Sequence, residues 1–311
     1  MEILRQAAVA PAHLRGGALA LGNFDGVHRG HQAVIGAAVA HARAAGQPAL
    51  VATFDPHPSL FFRPETEPFA LTGMSQKLEH FEALGVDAAV VIPFDAAVAG
   101  LLADDFADRW LVNRLGVSHV VTGTDFTFGK GRSGSATTLT ALGATRTFTT
   151  HAVAPVAVGG VQVSSTRIRE ALVAGDMATA AMLLTRPFAI RGSVEHGDKR
   201  GRTIGVPTAN MALGDYLRPR YGVYAVRVRL PDGECVHGVA NLGVRPMFTP
   251  PKLLLESWLL DWSGDLYGQV LDVELVRHLR DEQTLDGLDA LMAQIGRDAE
   301  QAKAVLAASA F

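Results

Sequence analysis

Gly22-Asn23-Phe24-Asp25-Gly26-Val27-His28-Arg29-Gly30-His31 lies between a short apolar run, Ala18–Leu21, and an Ala-rich stretch of helical spacing, Gln32–Ala45. The first run reads as a buried strand and the second as a helix, so both histidines fall on a strand-to-helix turn. A helix starting near Gly30 aims its unpaired N–H groups and positive dipole end at whatever fills the turn, and Gly22, Gly26 and Gly30 admit close backbone approach. His28 and His31, three residues apart, project to one side of such a helix. Two imidazoles and a helix terminus converging on one point suit the charge that develops on a phosphorus under attack.

Around this turn the first half of the chain alternates strand and helix patterns, as expected of a parallel sheet with crossover helices. Strands are expected at Ala18–Leu21, Ala49–Phe54, Ala88–Ile92 and His119–Thr122, and helices at Gln32–Ala45, Ser75–Leu84 and Ala103–Leu115. Ligand loops belong at the carboxyl ends of such strands, and the unusual residues cluster there. Thr53-Phe54-Asp55-Pro56-His57-Pro58 follows the second strand, with Phe61 and Phe62 beyond it; these aromatics are either core or plates on which a planar ring could stack. Gly123-Thr124-Asp125-Phe126-Thr127-Phe128-Gly129-Lys130-Gly131-Arg132-Ser133-Gly134 follows the fourth strand as a glycine-rich basic loop. Val163-Ser164-Ser165-Thr166-Arg167-Ile168-Arg169 leads into another helical pattern, where serine and threonine can cap the helix. Arg167 and Arg169 cannot face the same way, so an anion is assigned to Arg169 and Arg167 is expected to be solvated.

The pattern changes at Arg186-Pro187-Phe188. Period-2 and β-branched runs then dominate, at Ala189–Val194, Tyr221–Leu230, Cys235–Leu242, Leu253–Leu260 and Val270–Val276, which an antiparallel barrel closed by a helix over Asp286–Ala307 accounts for economically. Two domains are expected, 1–185 and 186–311. Gly197, Gly201 and Gly205 recur every four residues in a basic segment that ends in Pro207-Thr208-Ala209-Asn210, a loop able to wrap an anion although it lacks the Walker A pattern. Glu256 stands inside the otherwise apolar Leu253–Leu260, where a carboxylate requires a reason.

Composition narrows the function. A chain of 311 residues, 48% hydrophobic, can bury more than one core, and a net charge of −3 argues against a general nucleic-acid binder. The single cysteine, Cys235, excludes an internal disulfide and a cysteine-based zinc site and fits a reducing cytoplasm. Met1–Gly16 does not read as a signal peptide, and no membrane span is expected because Pro93, Asp95, Asp104 and Asp105 interrupt the most apolar windows. The oligomeric state is left open, a homo-oligomer included.

His28-x-Gly30-His31 after a strand resembles the signature of the nucleotidylyltransferase superfamily, and the longer Gly22–His31 motif resembles the adenylyltransferase module of the bacterial bifunctional riboflavin kinase/FAD synthetases. Gly123-x-Asp125-Phe126-x-Phe128-Gly129, Ser164-Ser165-Thr166-x-Ile168-Arg169, the Gly197–Asn210 segment ending Pro-Thr-Ala-Asn, and Glu256-x-x-Leu259-Leu260-Asp261 are similar to further motifs of that family, over about residues 17–305. The resemblance implies a Rossmann-like nucleotidylyltransferase domain followed by a flavokinase barrel. Riboflavin and ATP would give FMN and ADP in the second half, and FMN and ATP would give FAD and pyrophosphate in the first, both with Mg2+.

By the same resemblance His28, His31, Arg169 and Glu256 are catalytic. Gly22, Asn23, Phe24, Gly30, Phe54, Phe62, Asp125, Phe128, Ser164, Ser165, Thr166, Gly197, Gly201, Gly205, Asn241 and Arg245 bind substrate, and Thr208 and Asn210 meet the metal. Asp125 has two implied roles, acceptor for a nucleotide hydroxyl or amine and helper to magnesium through water. The adenylyl step needs no general base, since an FMN phosphate is already ionised, whereas the riboflavin hydroxyl must lose a proton to a carboxylate, the role implied for Glu256. Three departures, Thr185 for glycine, Met247 for threonine and Trp258 for histidine or phenylalanine, bear on the interdomain joint and the flavin pocket. The alternatives are a nucleotidylyltransferase for another phosphate acceptor with a regulatory barrel, and a non-catalytic flavin carrier.

Overall fold

The computed structural model describes residues 1–5, 9–196, 205–245 and 251–308. The chain divides into two compact units, 1–67 with 74–164, and 68–73 with 165–311.

The first unit carries a parallel sheet of β1 (Glu2–Leu4), β2 (Ala18–Leu21), β3 (Ala49–Asp55), β4 (Ala88–Pro93), β5 (His119–Gly123) and β6 (Thr149–Val153), in the spatial order β1-β4-β3-β2-β5-β6. β2 and most of β3 and β4 are buried on both faces, which is why they read as unbroken apolar runs instead of alternating ones. From β2 the chain steps to β3 and β4 on one side and only later to β5 on the other. The turn after β2 and the loop after β5 therefore both leave the sheet where strand order reverses, the usual crevice for a ligand in an open α/β sheet. Helices α1 (Arg29–Ala45), α2 (Met74–Ala83) and α3 (Ala136–Arg146) belong to this unit, as does the helical run Ala103–Phe106 that continues through Ala107–Leu115. α1 begins three residues before the expected Gln32 because the histidine ring, described below, caps it.

The second unit opens with α4 (Ser165–Ala174) and α5 (Met177–Leu184). α5 ends on Thr185 in the left-handed conformation, φ 68°, a position glycine occupies without strain and the reason a glycine would be the usual residue there. Six antiparallel strands follow: β7 (Phe188–Ser193), β8 (Ala209–Ala212), β9 (Gly222–Arg229), β10 (Cys235–Arg245), β11 (Lys252–Leu259) and β12 (Val270–Arg280). Their order is β7-β12-β9-β10-β11-β8, and the ends are brought together by a bridge between Glu195 and Asn210, the Glu195 N–H donating to the Asn210 carbonyl at 2.8 Å. The result is a nearly closed barrel.

The final helix α6 (Gly287–Ala308) lays Ala302 and Leu306 on Ala225 of β9. It is pinned by Arg280, whose Nε and Nη2 reach the buried Asp298 carboxylate at 2.9 and 2.7 Å. β8 went unread as a strand because Ala-Asn-Met-Ala has neither β-branched residues nor alternation; it is held by pairing with β11.

Candidate functional site

In the first unit, His28 is the N-cap of α1, its Nδ1 accepting from the His31 N–H at 3.3 Å. An accepting Nδ1 leaves the neutral ring's proton on Nε2, so Nε2 is the end that can donate to a ligand. The two imidazoles stack with centroids 3.6 Å apart and planes within 16°, and Phe24 meets His31 edge-on at 5.3 Å. The rings therefore share one side of the helix start, as the spacing implies. The glycines have a more specific task than close approach to a ligand. A Cβ at Gly30 would sit 3.1 Å from the His28 ring, and one at Gly22 would sit 3.0 Å from the Phe24 ring, so each glycine makes room for an aromatic side chain. The turn itself takes left-handed conformations at Phe24, Gly26 and Val27. For Phe24 and Val27 that geometry is costly and must be held from outside.

Lys77, which no motif marked, is part of what holds it. Its side chain is buried, and Nζ donates to the Asn23 carbonyl at 3.0 Å, beside the Thr53 hydroxyl at 2.9 Å. Gln32 Nε2 donates to the Val27 carbonyl at 2.9 Å from the other flank. Burial pushes the Lys77 pKa below the ordinary lysine value, against the opposing pull of Asp25 and Asp55. The unfolded chain then binds this proton more tightly than the folded one, so the lysine makes stability rise with pH towards its ordinary titration range. Lys77→Met is expected to raise the urea midpoint and flatten that rise. Loss of one of the two donors on Asn23 should slow the reaction expected at this turn about tenfold. An unchanged rate would show that Thr53 and Gln32 hold the turn without it.

The aromatic residues expected at a ring site separate. Phe54 is only 8% exposed and packs edge-on to Phe94 at 5.6 Å, while Phe62 is 64% exposed and meets Phe61 and Phe94 at 5.3 and 5.8 Å. Phe62 thus offers a surface, and Phe54 supports the cluster from within the core. Phe128 is likewise core: it packs against Phe106 and over Gly134, where a Cβ would approach its ring to 2.6 Å. Phe54 and Phe128, both expected to bind substrate, thus have their rings packed in the core. Asp125 is exposed, and its carboxylate folds over Gly123.

Ser164 closes the first unit's segment, and Ser165 and Thr166 open α4 in the second. Arg169 is half-buried, with Nε on the Phe69 carbonyl at 2.9 Å and its guanidinium 5.1 Å from the Phe69 ring centroid. Arg167 is half-buried too, which corrects its expected solvation.

In the barrel, β11 lies between β8 and β10, and Glu256 is directly opposite Asn210 on one side and Asn241 on the other. Opposed residues project to the same face of a sheet, so the carboxylate stands between two carboxamides. Alternation along β10 places Arg245 on that face as well. Arg245 donates from Nε to Oε2 of Glu256 at 2.8 Å and pairs with it again through Nη2. Burial works against the Arg245 charge, but the bonds and charges of Glu256 and Glu282 outweigh it and hold its pKa above the ordinary value.

Asn210 is buried, with Nδ2 turned to the Thr208 carbonyl at 3.4 Å, and Gly205 takes a left-handed φ of 78°. Thr208 also borders a cavity of about 350 Å³ walled by Pro207, Leu259, Trp262, Leu266 and Tyr267. Gly197, Gly201 and Met247 lie outside the described residues. No group of three or more His, Cys, Asp or Glu side chains suited to a metal occurs among the described residues. The oxygen donors of Thr208 and Asn210 fit a hard cation such as magnesium, which keeps part of its water and is carried largely by substrate phosphates.

The α/β unit thus carries paired imidazoles at its switch point, and the barrel carries a carboxylate clamped by arginine. A family model described as FAD synthetase matches residues 10–167, and one described as riboflavin kinase matches residues 184–306. The chain is 43% identical over 301 residues to a bifunctional riboflavin kinase/FMN adenylyltransferase of Pseudomonas fluorescens, covering 96% of both chains. The protein of that name from Escherichia coli (strain K12) is 41% identical over 290 residues, 93% of both chains. That from Bacillus subtilis (strain 168) is 39% identical over 294 residues, 91% of this chain and 90% of that one.

A crystal structure described as a macrolide-efflux protein from Streptococcus pneumoniae superposes with a TM-score of 0.87 at 28% identity, covering 97% of this chain and 99% of that one. No helix among the described residues is long and apolar enough to cross a membrane. The chain belongs to the bifunctional riboflavin kinase/FMN adenylyltransferase family.

Proposed function

We propose that this chain phosphorylates riboflavin with ATP in the barrel and adenylylates the resulting FMN with a second ATP in the α/β unit, releasing pyrophosphate. Riboflavin, FMN, ATP and FAD are then its small-molecule substrates and products. A reducing cytoplasm suits its one exposed thiol, Cys235. The observation that carries the reading is the division of chemistry between the two units. The α/β unit offers imidazoles and a helix start but needs no base, because its acceptor is an ionised phosphate. The barrel offers a carboxylate where an alcohol must be deprotonated.

In the first site, His28 through Nε2–H, together with His31, stabilises the charge that develops on the α-phosphate during in-line attack, with the turn held by Thr53 and Lys77. Asn23, Asp125 and Phe62 contact the nucleotide and flavin, and Ser164, Ser165, Thr166 and Arg169 hold the departing pyrophosphate. In the second, Glu256 takes the proton of the riboflavin 5′-hydroxyl, while Gly197, Gly201 and Gly205 wrap the ATP phosphates and Asn241 and Arg245 border the flavin. Bound magnesium would neutralise phosphate charge, with Thr208 and Asn210 as its protein ligands. The two activities divide near residue 185, at the end of α5, where the riboflavin kinase match begins, although the compact units part at residue 164.

Protein incubated with riboflavin, ATP and magnesium should convert riboflavin to FMN and then FMN to FAD, with ADP and pyrophosphate appearing in step. Resolving the three flavins over time tests this. Activity towards another phosphate acceptor with no flavin turnover would favour a single-activity transferase, and tight flavin binding without turnover a carrier.

A further inference from the structure

The barrel site contains a second carboxylate that no motif accounts for. Glu282 follows β12, and its Oε1 accepts from Asn241 Nδ2 at 3.2 Å and from Arg245 Nη1 at 3.1 Å. Asn241, Gly243 and Arg245 alternate onto one face of β10, and the Glu282 carboxylate lies over the glycine between the other two. A Cβ at Gly243 would stand 2.2 Å from Glu282 Oε1 and 2.6 Å from its Cδ, so the strand is notched at the point where this side chain enters. The Arg245 fork is thereby divided between two acids. Nε and Nη2 are spent on one oxygen of Glu256, Oε2, and Nη1 on Glu282. Among the described residues Oε1 of Glu256 accepts no hydrogen bond, and it is the oxygen left to face a hydroxyl.

We propose that Glu282 is a positioning residue for phosphoryl transfer: seated in the Gly243 notch, it fixes Arg245, and Arg245 fixes which oxygen of Glu256 meets the riboflavin hydroxyl. The guanidinium is planar by itself, and contacts on two sides stop it from swinging about the side-chain torsions; Glu282 supplies the anchor on the side away from Glu256. The proposal rests on the reading of Glu256 as the base of the kinase step.

The test measures FMN formation by the full-length chain, with the thermal midpoint of the barrel transition as the control that each variant's barrel is folded and FAD formation from supplied FMN as the control for the α/β unit. Glu282→Ala should lower kcat for FMN formation about tenfold while leaving both KM values within about twofold, since only the alignment of the base is disturbed. Glu282→Gln, which retains an acceptor for Nη1, should recover most of that loss. Gly243→Ala, which expels the carboxylate without altering it, should reproduce the defect.

The decisive arm is the double variant. If Glu282 acts through Arg245, then Glu282→Ala should cost less than about twofold once Arg245→Ala is already present. An unchanged kcat in Glu282→Ala, a full tenfold loss in the Arg245→Ala background, or an effect confined to KM would overturn the positioning role. Glu256→Gln separates the two levels: if it too leaves FMN formation intact, the assignment of the base has failed, whereas if it silences the step and Glu282→Ala does not, only the positioning role has failed.

Discussion

His28→Asn should abolish pyrophosphate release from FMN and ATP, by about 10²- to 10³-fold, the range seen when one preorganised donor to a developing charge is lost. ADP formation from riboflavin and ATP should continue. The choice of asparagine follows from the geometry. Nδ1 of His28 caps α1 through the His31 N–H, so alanine would remove a cap worth about 1 kcal/mol together with the imidazole. Asparagine retains a capping oxygen and takes away only the Nε2–H donor and the stacked partner of His31. His28→Ala and His28→Asn should therefore differ in thermal midpoint but agree in lacking FAD formation. Pyrophosphate release within tenfold of the parent in His28→Asn would mean the ring is there for the helix and not for the phosphate.

Glu256→Gln should remove FMN formation by about 10²- to 10⁴-fold, the contribution of a positioned general base, while FAD formation from supplied FMN proceeds at the parental rate. Glutamine preserves shape and can still accept from Arg245, so the barrel should remain folded. What it loses is the capacity to take a proton from the 5′-hydroxyl. The loss should appear in kcat, because neither Asn210 nor Asn241, the flanking residues across the strands, is altered. Retention of more than a tenth of the activity would shift the search for the base to another carboxylate.

The α/β half was legible because its strands are buried on both faces and so appear as continuous apolar runs, and because the turn after β2 carries its chemistry within ten consecutive residues. The clamps around that chemistry were not legible from motifs. Lys77 did leave a signal: Met74, Lys77, Leu78 and Phe81 follow the i, i+3, i+4, i+7 spacing of a buried helix face, and a lysine on that stripe calls for an acceptor in the interior. Glu282 left none, since it lies 37 positions beyond the arginine it binds and in a loop without regular spacing. Phe54 and Phe128 show the converse, motif residues whose rings the fold spends on packing. In the barrel the strand missed was the shortest, β8, whose sequence has no strand signature of its own and which owes its conformation to its neighbour.

That short strand has a wider consequence. Asn210 is at once the proposed magnesium ligand and the residue whose carbonyl staples the two ends of the barrel through Glu195. A stave of four residues, paired with β11 on one side and joined on the other, among the described residues, by one bridge, is the first part of such a cask to spring, and local opening needs far less free energy than global unfolding. Warming or mild denaturant would thus silence the kinase by loosening its seam while the α/β half still turned over, leaving a chain that consumes FMN it can no longer make.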